Sequence, residues 1–186
     1  MEKIFCLETE WNQTKHDLKS KSSALSLLEF LENANGTNYI FRQVATNHDF
    51  EYYMGHLFYD SYNSYGTVYL CFHGSDSTIH FADGSQCDIM KFANEHKGIF
   101  LHRNVHFGSC STLNMDENDV KEFKRLTGAR MITGYSADVA FIDSFVFELE
   151  LLNAVCSHPD YAAIRLHKYM NERMPYYVKK FGFVSY

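Results

Sequence analysis

The chain has 186 residues, 46% of them apolar and 16% aromatic, with a formal net charge of −6. That length suits one domain spanning 1–186, and a domain of this size buries about 70% of the surface its unfolded chain exposes, so neither disulfide nor metal is needed to hold it together. The 17 basic residues are scattered, Lys179-Lys180 being among the densest pairs, which argues against a nucleic-acid-binding face; 2 prolines, 10 glycines and no low-complexity tract leave little room for linkers.

Glu2–Leu7 alternates briefly between polar and apolar and then reaches Glu8-Thr9-Glu10, predicting a first strand. Ser22–Asn35 carries Ala24, Leu27, Leu28 and Leu31 at helical spacing, opens on serines and stops at Gly36. Asn38–Ala45 reads as a second strand, and the aromatic-rich His48–Tyr62 is helical in length. Thr67–Phe72 is a nearly continuous apolar run, as expected of a strand covered on both faces, and it ends at His73-Gly74. Thr78–Phe81 with the Asp83-Gly84 turn predicts a short hairpin, and Asp88–His96 a helix. Asn104–Phe107 is a strand stopped by Gly108-Ser109-Cys110. Asp116–Thr127 is an amphipathic helix capped by Gly128, Arg130–Thr133 a strand closed by Gly134, and Val139–Cys156 a helix apolar nearly all round. The tail from Tyr161 holds one more helix and a less regular aromatic end. Strands alternating with helices predict an α/β fold with a mostly parallel sheet.

Five cysteines, at 6, 71, 87, 110 and 156, are odd in number and form no CxxC pair, which predicts reduced thiols and a cytoplasmic setting. The opening MEKIFCLETEW has no basic segment followed by an apolar core, so no secretory signal is expected. The most apolar stretch, Val139–Val155, contains Asp143, Glu148 and Glu150 and is too short and too charged to span a bilayer; no membrane partner is expected.

In an open parallel sheet, ligands bind beyond the carboxyl ends of the strands. The residues to inspect are therefore Glu8 and Glu10, Thr46–Asp49, His73–Asp76, Gly108–Cys110 and Gly134–Asp138. His73 and Cys110 are separated by enough chain for one strand–crossover–strand unit, which brings both to one edge of the sheet. A thiol beside an imidazole is a nucleophile with its base, and the N–H groups of Gly74 and Cys110 are candidate oxyanion donors. The bland alternative is a turn cysteine and a histidine packed under a loop. A metal site is the sharper rival, since His102, His106 and Cys110 recur every four residues; Val105–Ser109, however, is strand-like, and on a strand such positions lie about 13 Å apart, too far to share one zinc.

The ordered motifs carry a resemblance. An apolar strand ending in His-Gly (Val68–Gly74, VYLCFHG), then a second ending in a small residue and Cys (Val105–Cys110, VHFGSC), resembles the signature of caspase-like cysteine peptidases, a superfamily including caspases, legumains, gingipains, separases and bacterial CHAT domains. Gly128–Tyr135 followed by a long apolar helix is similar to the matching strand and helix of CHAT-type members; the similarity runs from Glu2 to Val155. Ser109 stands between Gly108 and Cys110, where many members have Ala-Cys or Gly-Cys directly. The resemblance implies a caspase-like three-layer sandwich and hydrolysis of peptide bonds by a Cys–His dyad without cofactor or metal. Cys110 would be the nucleophile, His73 the general base, and Gly74 with Cys110 the oxyanion hole. The expected partner is a protein or peptide substrate, with an activating ligand or partner besides.

In that superfamily the pocket for the residue before the scissile bond lies near the ends of the first, third and fourth core strands. Glu8, Glu10 and Asp138 fall there, which implies an acidic pocket preferring Lys or Arg, unless they are solvated loop carboxylates. Two other functions stay open: a non-catalytic ligand-sensing module on the same fold, and a Cys–His hydrolase or transferase acting on a non-peptide acyl group.

Overall fold

The computed structural model describes residues 3–11 and 22–186, so Glu2 of the predicted first strand lies outside the described residues. The core is a six-stranded sheet of β1 (Ile4–Glu8), β2 (Tyr39–Gln43), β3 (Thr67–Cys71), β7 (Asn104–Phe107), β8 (Met131–Tyr135) and β9 (Phe183–Ser185), in the order β2-β1-β3-β7-β8-β9. All neighbours are parallel except β9, which runs antiparallel to β8. A separate three-stranded sheet of β4 (His73–Ser75), β5 (Thr78–His80) and β6 (Gln86–Asp88) follows directly on β3.

Strand side chains alternate between faces, and the two cores follow that alternation. Phe5, Leu7, Val68, Leu70, Val105, Phe107 and Ile132 face one way and pack with residues of α2 (Asn47–Met54), α3 (Ile89–Glu95) and α4 (Glu117–Thr127). Ile4, Cys6, Tyr69 and Cys71 face the other way, under α1 (Leu25–Asn35) and α5 (Phe141–Ser157). Further along that face Met131 and Tyr135 pack with α5, α6 (Ala163–Arg173) and α7 (Pro175–Phe181). The result is three layers, with every parallel strand delivering its carboxyl end to one edge.

Local chemistry sets the helix ends. The Asp88 carboxylate accepts from Met90 N (2.8 Å) and Lys91 N (2.9 Å), Asp116 from Asn118 N (2.8 Å), and Gly36 and Gly128 close α1 and α4 with left-handed φ of 76° and 73°.

Several elements differ from the sequence reading, among them His73–Ser75, which reads in the sequence as the end of β3 and is instead the strand β4, paired with β5. The His48–Tyr62 stretch is α2 only to Met54; Gly55, a weak helix former, begins the first of two short 3₁₀ turns (Gly55–Phe58 and Asp60–Tyr62), where the His56 ring contacts those of Tyr59 and Tyr62. The fifth parallel strand, β8, does not close at Gly134 but runs to Tyr135, because β9 extends its pairing through Tyr135↔Phe183. The tail holds two helices and a strand instead of one helix and an irregular end: Pro175 starts α7 where proline's lost N–H costs nothing, and Gly182 at φ 54° turns the chain back into β9. Among the described residues, no helix is long and apolar enough to cross a membrane.

Phe181 is fully buried against Tyr135, Phe147 and Tyr177, so the tail belongs to the core. Phe181→Ala is expected to destabilise the fold by about 3–5 kcal/mol in a urea or guanidinium titration; a loss below about 1 kcal/mol would mean that the tail is not part of the cooperative unit.

Candidate functional site

The chain leaves β3 at Cys71 and enters β4 through Phe72-His73; it leaves β7 at Phe107 and turns through Gly108-Ser109-Cys110. These two exits are locked together. A Cβ on Gly74 would fall 2.1 Å from Thr112 Oγ1 and 2.5 Å from the Cys110 carbonyl oxygen, so only glycine allows the approach. Ser77 N–H donates to Thr112 O (3.2 Å) and Asn114 Nδ2 to Asp76 Oδ1 (2.9 Å), adding two ties between the same loops. Inside the turn the Thr112 hydroxyl donates to Ser109 Oγ (2.8 Å), both groups buried. Ser109, which stands between Gly108 and Cys110, thus secures the turn.

The backbone is strained on both sides of the junction. Ser77 (φ 57°) and Ser111 (φ 49°) are non-glycine residues in the left-handed region, a conformation costing about 1–3 kcal/mol that the surrounding bonds must enforce. Ser111 N–H donates to Ala137 O (3.1 Å) and Ser111 Oγ to Asp138 Oδ1 (2.8 Å), tying the Cys110 turn to the loop between β8 and α5. The Cys110 N–H itself makes no hydrogen bond among the described residues.

His73 and Cys110 both line a cavity of about 280 Å³ at the carboxyl edge, on the α1/α5 face of the sheet. Its walls include Trp11, Phe72, Phe141 and Phe145, and two carboxylates, Glu8 and Glu148, also border it. His73 sits at the surface, yet Trp11 covers it edge-on with ring centroids 4.7 Å apart. Partial loss of water, with a smaller contribution from His80 opposite it on β5, lowers the His73 pKa and favours the neutral imidazole. His80 is itself fixed by a 2.7 Å hydrogen bond with Ser75 Oγ. The Cys110 sulfur, half-buried, is held by Val139, whose N–H lies 3.4 Å away and whose carbonyl oxygen 3.6 Å.

The predicted acidic residues separate. Glu8, expected in the loop past the first strand, is instead the last residue of β1, paired with Gln43 and Cys71, and 0% exposed. Its Oε1 accepts from Trp11 Nε1 (2.7 Å) and Ala24 N (2.6 Å), and its Oε2 from Ser23 Oγ (2.6 Å). Burial nevertheless raises its pKa, the charge of Glu148 adding to the effect and the three donors opposing it. Glu10 is partly exposed and Asp138 exposed, and neither borders the cavity. Asp138 serves the Cys110 turn through Ser111.

Glu148 was not singled out from the sequence. It is 4% exposed, accepts hydrogen bonds from the Tyr69 hydroxyl and from Tyr135 OH (3.1 Å), and lies 3.5 Å from His106 Nε2. A Cβ on Gly108 would come within 2.8 Å of Glu148 Oε1 and of the Tyr69 ring, so Gly108 makes room for this carboxylate at the cavity floor. The signal was helical spacing: Phe141, Ser144, Phe145 and Glu148 form one stripe of α5, and all four line the cavity. The rival metal set is scattered. His102 is exposed at φ 64°, His106 is buried on β7 toward Glu148 and Thr133, and Cys110 rests on Val139.

Residues 1–186 match a family described as a family of unknown function (DUF6642). No curated protein matches the sequence. Among solved structures, the chain is similar to the Drosophila initiator caspase Dronc, with a TM-score of 0.57 and 11% identity over 91% of this chain and 71% of that one. The fold is caspase-like.

His73 should titrate below the ordinary imidazole value of about 6.5 in an NMR experiment. Because a positive charge on His80 opposes protonation of His73, His80→Gln should move that pKa upward; an unchanged or lower value would contradict the arrangement.

Proposed function

The chain belongs, over residues 1–186, to that family of unknown function, and we propose that it is a cysteine hydrolase acting on peptide bonds, with Cys110 as nucleophile and His73 as general base. The observation that supports this most is the contact of Gly74 with the Ser109–Thr112 turn, which brings His73 and Cys110 to the border of one cavity. The caspase-like fold agrees with it.

The chemistry follows from the groups in place. Neutral His73 accepts the Cys110 thiol proton, and the sulfur attacks the carbonyl carbon of the scissile bond. Rotation about the Cα–Cβ bond of Cys110 takes the sulfur from Val139 into the cavity, a rearrangement compatible with the loose geometry of unliganded sites. The oxyanion is received by the N–H groups of Cys110 and Gly74. Protonated His73 then gives its proton to the departing amine, leaving a thioester on Cys110. Water, deprotonated by His73, cleaves that thioester and restores the thiol.

The anchoring of the sulfur on Val139 favours a second reading, in which the same cavity senses a ligand without turnover. A thiol-directed acyloxymethyl ketone peptide separates the two. Catalysis predicts labelling of Cys110, no labelling of Cys110→Ala, and labelling slowed by about 10²–10⁴ in His73→Ala. Labelling that is slow in the wild type and unchanged in His73→Ala would favour the sensor.

A further inference from the structure

The aromatic run around Gly55 takes no part in the chemistry of Cys110 and His73, and it builds a second cavity. Side chains three residues apart eclipse one another on a 3₁₀ turn, and His56, Tyr59 and Tyr62 keep that spacing through the two turns that follow α2. The His56 ring centroid lies 6.2 Å from that of Tyr59, 5.5 Å from Tyr62 and 5.1 Å from Tyr52. Tyr62 in turn meets Phe5 of β1 edge to face at 6.2 Å. A cavity of about 230 Å³ opens among these rings, lined chiefly by Phe5, Arg42, Tyr52, Tyr53, His56 and Tyr62. Phe5 packs on the α2/α3/α4 side, so this cavity stands on the opposite face of the sheet from the one bordered by His73 and Cys110.

Burial in the core does not account for these rings. Tyr52 is 61% exposed and Tyr59 64%, and large exposed aromatic groups beside a concavity mark a binding surface. The polar groups say what it would hold. Arg42, on the edge strand β2, forms no ion pair among the described residues. Its Nη1 donates to the Phe41 carbonyl oxygen (2.7 Å), which leaves the rest of the guanidinium fork for an anion. His56 Nδ1 lies 2.9 Å from the Tyr52 carbonyl oxygen. A carbonyl oxygen only accepts, so the ring proton sits on Nδ1, and Nε2 of the neutral imidazole is left as an acceptor.

A ligand that answers all three features carries an anionic group for Arg42, a flat ring for the tyrosines and an O–H donor for His56. A nucleoside monophosphate has these in one molecule: phosphate, base and ribose hydroxyl. The cavity is smaller than the roughly 300–1,000 Å³ of drug-sized sites, which suits one ring system with its phosphate at the mouth. A single guanidinium, in a chain of net charge −6, suits one phosphate and not a polynucleotide backbone.

We propose that this cavity binds a nucleoside monophosphate, with its base stacked on the tyrosine rings, its phosphate on Arg42 and a ribose hydroxyl donating to His56 Nε2. The site is independent of whether Cys110 is a nucleophile.

Calorimetric titration of the whole chain with the 5′-monophosphates of adenosine, guanosine, cytidine and uridine tests the assignment. At least one should bind saturably. Its parent nucleoside, lacking the phosphate, and ribose 5-phosphate, lacking the base, should each bind at least about tenfold more weakly. That comparison uses the wild-type protein alone. Arg42 is exposed, so Arg42→Gln should fold normally in a thermal melt and reduce the nucleotide's affinity to about that of the nucleoside. Tyr53→Leu should weaken nucleotide and nucleoside alike, by about tenfold. Failure of all the monophosphates to bind would overturn the proposal, as would ribose 5-phosphate binding as tightly as the nucleotide. Nucleotide affinity unchanged in Arg42→Gln would place the ligand elsewhere and overturn it too.

Discussion

The approach of Gly74 to the turn at Ser109–Thr112 governs the rest of the molecule's chemistry. Two strand exits, one from β3 and one from β7, leave the sheet side by side because their strands are paired in parallel register, Thr67 with Asn104 through Leu70 with Phe107. Pairing alone would leave two loops free to diverge. The missing side chain at Gly74, the Ser77–Thr112 and Asn114–Asp76 hydrogen bonds, and the left-handed Ser77 and Ser111 hold them together. His73 and Cys110 are thereby fixed on a frame whose backbone conformations cost free energy that the sheet and the loop bonds must offset.

Below that frame lies a layer of buried polar groups that an apolar core would not need. Tyr69, His106, Thr133, Tyr135 and Glu148 meet on the α5 face of the sheet, where His106 Nδ1 contacts Thr133 Oγ1 at 3.0 Å and the two tyrosines donate to Glu148. Burying a carboxylate costs several kcal/mol unless it is well solvated by protein donors. Two hydroxyls and a nearby imidazole meet part of that need. The same helix, α5, supplies the Phe141–Phe145 wall and the Glu148 floor, coupling the helix that covers the sheet to the character of the site.

Much of this was legible in the sequence for simple reasons. A strand covered on both faces shows as an apolar run, as Thr67–Phe72 does, and a strand end at the ligand-binding edge shows as the small or polar residues that stop it, as His73-Gly74 and Gly108–Cys110 do. The less legible parts depended on contacts distant in the chain. Glu8 read as a loop carboxylate because a glutamate at the end of an apolar run ordinarily faces water, yet Trp11, Ser23 and Ala24 solvate it inside the fold. Glu148 was hidden for the opposite reason, as one acid in a helix apolar nearly all round, where the inward stripe is hard to tell from the rest. The edge strand β9 escaped because three residues, Phe183–Ser185, carry little periodicity, and only β8 defines them as a strand.

The direct test of His73 as the base for Cys110 compares two titrations in the same protein: the pH dependence of peptide cleavage under single-turnover conditions and the NMR titration of the His73 ring. If neutral His73 takes the thiol proton, the acid limb of the cleavage rate coincides with the His73 pKa and moves with it when His80 is replaced by Gln. Cleavage that continues undiminished as His73 becomes protonated would show that Cys110 does not depend on this imidazole.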